Sequence, residues 1–198
     1  MTNITDTTVR DNKMISSDFA GMRKEASILQ KKGAPFMMAS VVIWILATIV
    51  RCLPVDIMTK NMYTFYCTGL LLPCVLIFSK IIGAHIFKNR SNPFNKLGFL
   101  CTMNQMLYLL IVMWAFSQKP DAMFMLFAMV FGAHLLPFSW VYDSKTYFVT
   151  SLVTTFGSMI LSIFTNDICV GVFMTVCQIV MSVILLVECR KLNGDSKK

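Results

Sequence analysis

Residues 129–140 read MVFGAHLLPFSW and lie inside a long apolar run that we place at 121–141. This run contains His134, one of only 2 histidines in the chain. Residues 83–85 show the same Gly-Ala-His motif 49 positions earlier, and a lysine follows each histidine by 11 residues. Another apolar run begins directly after each lysine. The repetition suggests a membrane protein built partly from helix pairs that repeat in parallel.

The composition agrees with a membrane protein. The chain is 56% hydrophobic and only 14% charged, whereas about a quarter of the residues in an average soluble domain are charged. The charged residues cluster between apolar runs of roughly 18–22 residues, which is the length needed to cross about 30 Å of hydrocarbon. The sequence therefore predicts an all-α integral membrane protein.

Six apolar runs are candidate membrane-spanning helices. We place them near residues 35–53, 62–83, 97–117, 121–141, 146–165 and 168–188. Short polar turns join the first run to the second, the third to the fourth and the fifth to the sixth, whereas a longer basic linker joins the second to the third. This spacing predicts a six-transmembrane-helix bundle made of three tight hairpins.

The predicted organisation has a cytoplasmic N-terminal segment at 1–33, a transmembrane domain at 34–190 and a tail at 191–198. The N-terminal segment starts with a polar stretch that we expect to be disordered. An amphipathic helix follows at about 18–32, and it is either bound to the membrane surface or a solvated connector. No cleavable signal peptide is expected, because the first 33 residues lack an apolar core segment.

The positive charges predict the orientation. If the N-terminus is inside, 15 of the 18 lysines and arginines fall on the inner face, and only Arg51, Lys60 and Lys119 fall on the outer face. Because cationic loops stay in the cytoplasm, both termini are predicted to be cytoplasmic, an N-in/C-in arrangement. The basic charge then indicates anionic lipid headgroups as partners, and not nucleic acid. Arg51 itself is expected to reach the interface or to pair with Asp56.

Polar side chains inside the apolar runs are the candidate functional residues, because such groups are costly in hydrocarbon and usually face a cavity or another helix. We predict a solute-binding set composed of Asn104, Gln105, Tyr108, His134, Gln178 and Ser182. The fifth run adds a stripe of hydroxyls at Ser151, Thr155, Ser158 and Ser162. Helix packing is the alternative use of such small polar residues.

His134 shares a helix face with Phe127, Phe131 and Phe138. Pro137 lacks an amide hydrogen, so we expect the helix to bend one turn earlier, near Ala133. Two interpretations of His134 stay open. It is a neutral side chain hydrogen-bonded to a neighbouring helix, or it has a proton-sensitive or ligand-binding role.

No motif indicates catalysis, a cofactor or a metal. The seven cysteines form no C-x-x-C pair, and no H-E-x-x-H or G-x-S-x-G motif occurs. We therefore predict a non-enzymatic protein that binds or passes a small solute through a polar intramembrane cavity. The alternative is an accessory subunit that binds a membrane protein partner or forms a homo-oligomer, and a lipid-acting enzyme comes third.

Two segments resemble an uncharacterised family of small multi-spanning membrane proteins of Gram-positive bacteria. They are KKGAPF at residues 31–36 and GAHLLPF at 132–138, the latter followed by Tyr142 and Lys145. The resemblance extends over most of residues 20–190. It implies location in a bacterial cytoplasmic membrane and no assigned activity.

The orientation is testable by labelling intact cells with a membrane-impermeant maleimide. In a cysteine-free background, a single cysteine at Lys119→Cys should react from outside, whereas Ser17→Cys should react only after the cells are opened. The reverse pattern would contradict the N-in/C-in topology.

Overall fold

The computed structural model describes residues 17–85 and 91–195, and all regular elements within these ranges are helical. The helices are α1 (17–29), α2 (Ala34–Cys52), α3 (Ile57–Gly69), α4 (Leu71–Ile82), α5 (Pro93–Gln118), α6 (Met123–His134), α7 (Leu136–Val141), α8 (Lys145–Phe164) and α9 (Asp167–Asp195). The predicted disordered start, part of the basic linker (86–90) and the end of the tail (196–198) lie outside the described residues.

Six helical stretches are long and apolar enough to cross a membrane. They are Lys31–Cys52, Ile57–Ile82, Pro93–Gln118, Pro120–Val141, Lys145–Phe164 and Asp167–Leu192. The prediction of six long apolar helices is confirmed in the part of the chain that the structure describes. The second stretch begins at Ile57, five residues earlier than predicted, because Asp56 provides an N-terminal cap at that point.

Two of the six stretches contain a break. α3 and α4 are separated at Leu70, ahead of Pro73, and α6 and α7 are separated at Leu135, ahead of Pro137. A proline inside a helix removes one backbone hydrogen bond and crowds the carbonyl four residues earlier. The break expected from Pro137 is therefore present, but it lies at Leu135, two residues after the predicted position near Ala133. Pro73 accounts for the other break in the same way.

Each of the three hairpins supplies one inner and one outer stretch. The inner helices are α2, α6 and α9, and 56%, 44% and 39% of their apolar windows are buried. The outer helices are α3–α4, α5 and α8, for which the buried share is 6%, 11% and 22%. The outer helices therefore present most of their apolar side chains to the surroundings, as expected for helices that face lipid.

An aromatic cluster joins α2 to α6 in the core. The ring of Trp44 is fully buried and lies 5.9 Å from Phe124, 5.2 Å from Phe127 and 5.5 Å from Phe131 between centroids. Two of these pairs are edge-to-face, the arrangement favoured by the charge distribution of aromatic rings. The phenylalanines that the sequence places beside His134 thus belong mainly to the hydrophobic core.

α2 and α9 run antiparallel and form the most extensive helix–helix contact of the fold. We call this contact the α2–α9 seam. A Cβ added to Gly171 would lie 2.5 Å from Thr48 Oγ1, so the two helices are in close contact there. Ser40 donates a hydrogen bond to Gln178 nearer the middle, at 3.1 Å. Small residues allow this approach of two helices, as in membrane helix packing.

α1 packs against one end of the bundle. The ring of Phe19 lies 4.9 Å from Phe94 and 6.0 Å from Trp140, and Arg23 forms a 3.1 Å ion pair with Asp143. The helix ends at residue 29, earlier than predicted, and a short 3₁₀ turn at Lys31–Gly33 leads into α2. These contacts attach α1 to the bundle, although Phe19 remains 42% exposed.

The two Gly-Ala-His motifs differ in structure. Gly83 ends α4 with a left-handed conformation (φ 65°), and residues 84–85 are non-helical. Residues 132–134 instead form the last turn of α6. The repeated sequence therefore does not produce a repeated local structure.

Gly132 gives a test of helix packing between α6 and α8. A Cβ at this position would lie 2.6 Å from the hydroxyls of Thr154 and Thr155 and 2.8 Å from the Thr155 backbone nitrogen. We expect Gly132→Ala to destabilise the protein by about 1–3 kcal/mol through overpacking. This is measurable as a lower melting temperature of the purified protein in detergent.

Gly98→Ala is the matched control, because no atom lies within 4 Å of a Cβ at this helical position. It should be neutral or stabilise α5 by about 0.5–1 kcal/mol, since alanine restricts the unfolded chain more than glycine does. Equal melting temperatures for the two variants would contradict the close contact of α6 with α8.

Candidate functional site

Arg51 lies near the end of α2 and is only 3% exposed. Its guanidinium group is 4.1 Å from the centre of the Phe124 ring, and its Nη2 donates to Thr64 Oγ1 at 3.1 Å. Its Nη1 is 3.3 Å from Asp167 Oδ2 at the start of α9. The expected pairing of Arg51 with Asp56 is wrong, because helix packing brings Asp167 to Arg51 instead. The expectation that Arg51 reaches the membrane interface stays a prediction.

Asp56 forms its hydrogen bonds within its own turn. It accepts hydrogen bonds from the Thr59 backbone nitrogen at 2.9 Å and from the Thr59 hydroxyl at 2.7 Å. These bonds, the side-chain one first, lower the pKa of Asp56 below its ordinary value. The ionised carboxylate therefore stabilises the start of α3 and leaves Asp167 as the counter-ion of Arg51.

An open cavity of about 460 Å³ adjoins Arg51 where the turns of the three hairpins meet. Two cations and two carboxylates line it, namely Arg51, Lys60, Asp121 and Asp167. Uncharged polar groups come from Ser162, Thr165 and Asn166. We call this space the Arg51 cavity. Its lining comes from turns that are remote from one another in the sequence.

Two details of the Arg51 cavity indicate capacity for a further polar contact. The Nε of Arg51 is buried and has no hydrogen-bond partner among the described residues. Lys60 donates from Nζ to the Arg51 backbone carbonyl at 3.1 Å, which holds a second cation beside the first. A buried donor without a partner is costly, because its hydration is lost and not replaced.

The predicted site residues lie on three different helices. Asn104, Gln105 and Tyr108 belong to the outer helix α5, where Asn104 and Gln105 are half-buried and Tyr108 is 38% exposed. Gln178 and Ser182 belong to the inner helix α9 and are buried. α5 packs mainly on α6 and α7, and α9 packs mainly on α2 and α8. The structure therefore does not gather the α5 residues with those of α9.

Gln178 and Ser182 lie within the described core. Gln178 accepts the hydrogen bond from Ser40, whereas its Nε2 and the hydroxyl of Ser182 have no partner among the described residues. Gln178 is fully buried at its contact with Ser40 in the α2–α9 seam, and Ser182 is buried one turn further along α9. Both side chains therefore contribute polar atoms to the buried side of α9.

His134 is the last residue of α6 and is buried. Its Nδ1 is hydrogen-bonded with the Phe131 carbonyl of the same helix at 2.5 Å. The rings of Phe131 and Phe138 meet the imidazole edge-to-face. The expected hydrogen bond to a neighbouring helix is thus replaced, at Nδ1, by a bond within α6.

A second polar cluster lies at the opposite end of the seam. Lys32 Nζ is 2.6 Å from Glu188 Oε2, and the Ser144 and Thr146 hydroxyls also donate to this carboxylate. Lys32 has a left-handed backbone (φ 49°), which directs the chain from the 3₁₀ turn into α2. The cluster therefore ties the start of α2 to the end of α9 and the start of α8.

Tyr142 connects this end of the bundle to α1. Its hydroxyl donates to Gln30 Oε1, and Gln30 Nε2 donates to Asn95 Oδ1 at 2.9 Å. Burial raises the pKa of Tyr142 well above its usual range, so the hydroxyl stays protonated and remains a donor. Together these bonds hold three separate segments at one end of the bundle.

Sequence reasoning missed the partners in the Arg51 cavity. One available signal was that Arg51 is among only three cations on the sparsely charged face, which also contains Asp121 and Asp167. The pairing itself was not visible, because Arg51 and Asp167 are separated by more than half of the chain. Within the described residues, no group of three or more histidine, cysteine or acidic side chains is arranged to hold a metal ion.

These features define an all-helical protein with six helices of membrane-spanning length and a polar cavity at one end. The chain matches a family of unknown function, DUF7010, over residues 19–188, and it belongs to that family. The match includes both segments on which the resemblance to an uncharacterised family rests. No curated protein and no solved structure matches the chain.

The Arg51–Asp167 pair yields a stability prediction. Asp167→Asn should destabilise the protein by about 3 kcal/mol, because removing one partner leaves the buried guanidinium charge without compensation. The measurement is the melting temperature in detergent.

Asp121→Asn is the matched control, since Asp121 lines the same cavity but is exposed. Its effect should stay within about 0.5 kcal/mol, as for most surface substitutions. Equal losses of stability in Asp167→Asn and Asp121→Asn would show that Asp167 is not the counter-ion that Arg51 requires.

Proposed function

We propose that the protein is a multi-pass protein of a bacterial cytoplasmic membrane, with both termini in the cytoplasm, that binds a small polar solute in the Arg51 cavity. The six long apolar helices support membrane insertion. The excess of lysine and arginine on the face that includes α1 supports the orientation. The Arg51 cavity then opens on the outer face.

The observation that carries the binding proposal is the environment of Arg51. A charged side chain that is 3% exposed lines a cavity of about 460 Å³, and its Nε has no partner among the described residues. Solute sites typically combine a concave space of about 300–1,000 Å³ with a few well-placed polar groups. A solute that accepts a hydrogen bond or ion pair would offset part of the cost of burying this charge.

Binding is favoured over catalysis by how the cavity's charged groups are used. Arg51 pairs with Asp167, and Lys60 donates to a backbone carbonyl. No histidine or cysteine is among the residues that line the cavity. The lining groups are therefore suited to hold a solute, whereas a nucleophile activated by a neighbouring base is not apparent among them.

The proposal concerns binding in the observed conformation, and not passage through the bundle. Gln178 and Ser182 are buried polar residues of α9 that lie further from the cavity, where a solute path through the bundle would need polar groups. The contact between Thr48 and Gly171 closes the seam between Arg51 and Gln178. Passage would require α2 and α9 to separate at this contact.

The accessory-subunit hypothesis stays a prediction. This hypothesis assigns partner binding to the N-terminal helix at 18–32 and the basic linker at 86–96, and in the structure Phe19 of α1 contacts Phe94 and Trp140 of the same chain. Phe19 is still 42% exposed, so a partner would reach part of this side of α1 without displacing the helix. Anionic lipid, a membrane protein partner or a second copy of the chain would each be compatible with the exposed apolar helices.

Native mass spectrometry of the full-length protein released from mild detergent tests the solute proposal. We expect a small polar molecule to stay bound to the wild-type protein and to be lost from Lys60→Met, because this change removes a cation from the cavity. Lys119→Met is the control, since Lys119 is exposed in a nearby turn and does not line the cavity. Wild-type protein that carries lipid alone, or nothing, would contradict the proposal.

A further inference from the structure

The charges of the Arg51 cavity are balanced. Arg51 and Lys60 are cationic, and Asp121 and Asp167 are anionic. They come from four different places in the fold: the end of α2, the first turn of α3, the 3₁₀ turn at Pro120–Ala122 and the start of α9. The cavity therefore offers both signs of charge around one space, with no net excess of either.

This balance discriminates between classes of ligand. A simple anion would be attracted to Arg51 and Lys60 but repelled by the two carboxylates at similar range, and a simple cation would experience the reverse. A molecule with both charges can place each of them beside groups of opposite sign. Among the four charged groups Arg51 is the buried one, so a pair with its guanidinium is the least weakened by water.

The start of α9 adds a preference for the position of the anionic group. α9 is 29 residues long, and its first residues, Asp167 and Ile168, line the cavity. The N-terminus of a helix favours negative charge through its free amide groups and its dipole. The guanidinium group of Arg51 is buried and lines the cavity at the same place, so it is a second and independent source of positive potential there.

We propose, on the basis of the solute site proposed above, that the ligand is a small zwitterion with a carboxylate and an ammonium group, of the size of a free amino acid. The carboxylate lies toward Arg51, Lys60 and the start of α9. The ammonium group lies toward Asp121 and the outer edge of Asp167. The hydroxyls of Ser162 and Thr165 supply hydrogen bonds to the remainder of the ligand.

Charge-matched probes test this inference on the full-length protein in detergent. One series is β-alanine, propionate, propylamine and propionamide, which share a three-carbon skeleton and differ in which charges they have. Natural amino acids from glycine to tryptophan form a second series that probes size. Binding is measured by equilibrium dialysis and by the shift in melting temperature.

We expect at least one zwitterion to bind about tenfold or more tightly than its carboxylate-only and amine-only analogues, because a hydrogen bond to a charged group typically accounts for that factor. Asp121→Asn should weaken binding of the zwitterion about tenfold and leave the binding of propionate unchanged or tighter. Lys60→Met should weaken the binding of both the zwitterion and propionate. Lys119→Met should alter neither.

Failure of the zwitterion inference can be distinguished from failure of the proposed solute site. If propionate or propylamine binds as tightly as every zwitterion, the ligand class is wrong, although the cavity is a solute site. If none of the probes binds but native mass spectrometry shows another small solute that Lys60→Met removes, the zwitterion inference again fails alone. If no probe binds and the wild-type protein retains no solute, both the inference and the proposed function are overturned.

Discussion

The α2–α9 seam has a buried ion pair at each end, and most of the fold depends on this constraint. Lys32 pairs with Glu188 at one end, and Arg51 pairs with Asp167 at the other. Asp167 and Glu188 are 21 residues apart in one helix, which corresponds to about 32 Å at 1.5 Å per residue. This length is close to the thickness of a bilayer's hydrocarbon core, about 30 Å. Both pairs form only in one antiparallel register, so the seam fixes how α2 and α9 align.

The remaining helices follow from that alignment. α6 completes the inner group by packing its phenylalanines around Trp44, and the outer helices cover the inner ones through small residues such as Gly132. The register also places Arg51 beside the turn that begins α9. The seam therefore brings together Arg51 and Asp167, two of the four charged residues that line the Arg51 cavity.

Much of the architecture could be predicted from the sequence, because it depends on properties of residues that are close together in the chain. Helix length, apolar runs, short polar turns and the break before Pro137 are all set by residues close together in the chain. The two Gly-Ala-His motifs show the limit of local reasoning, since their helices end at different points relative to the motif. Gly83 ends a helix, whereas Gly132 is inside one.

The candidate site was harder to predict from the sequence, because it depends on which helices pack together. Lys32 and Glu188 are 156 residues apart, and no spacing rule connects them. The sequence also grouped Asn104 with Gln178 by polarity alone, although α5 is an outer helix and α9 an inner one. Only the packing of the hairpins shows that the charged turns, and not the α5 amides, surround a cavity.

Disulfide cross-linking of the α2–α9 seam in native membranes tests the central claim most directly. A Cβ on Gly171 would lie 3.1 Å from Thr48 Cβ, a few tenths of an ångström closer than the about 3.5–4.5 Å of a disulfide, so a small outward shift of the two helices accommodates the bond. In a cysteine-free background with a protease site inserted between α4 and α5, Thr48→Cys with Gly171→Cys should hold the two fragments together until a reductant is added. Thr48→Cys with Gly98→Cys should not. Fragments that separate without reductant in the first variant would contradict the seam and the register on which the Arg51 cavity depends.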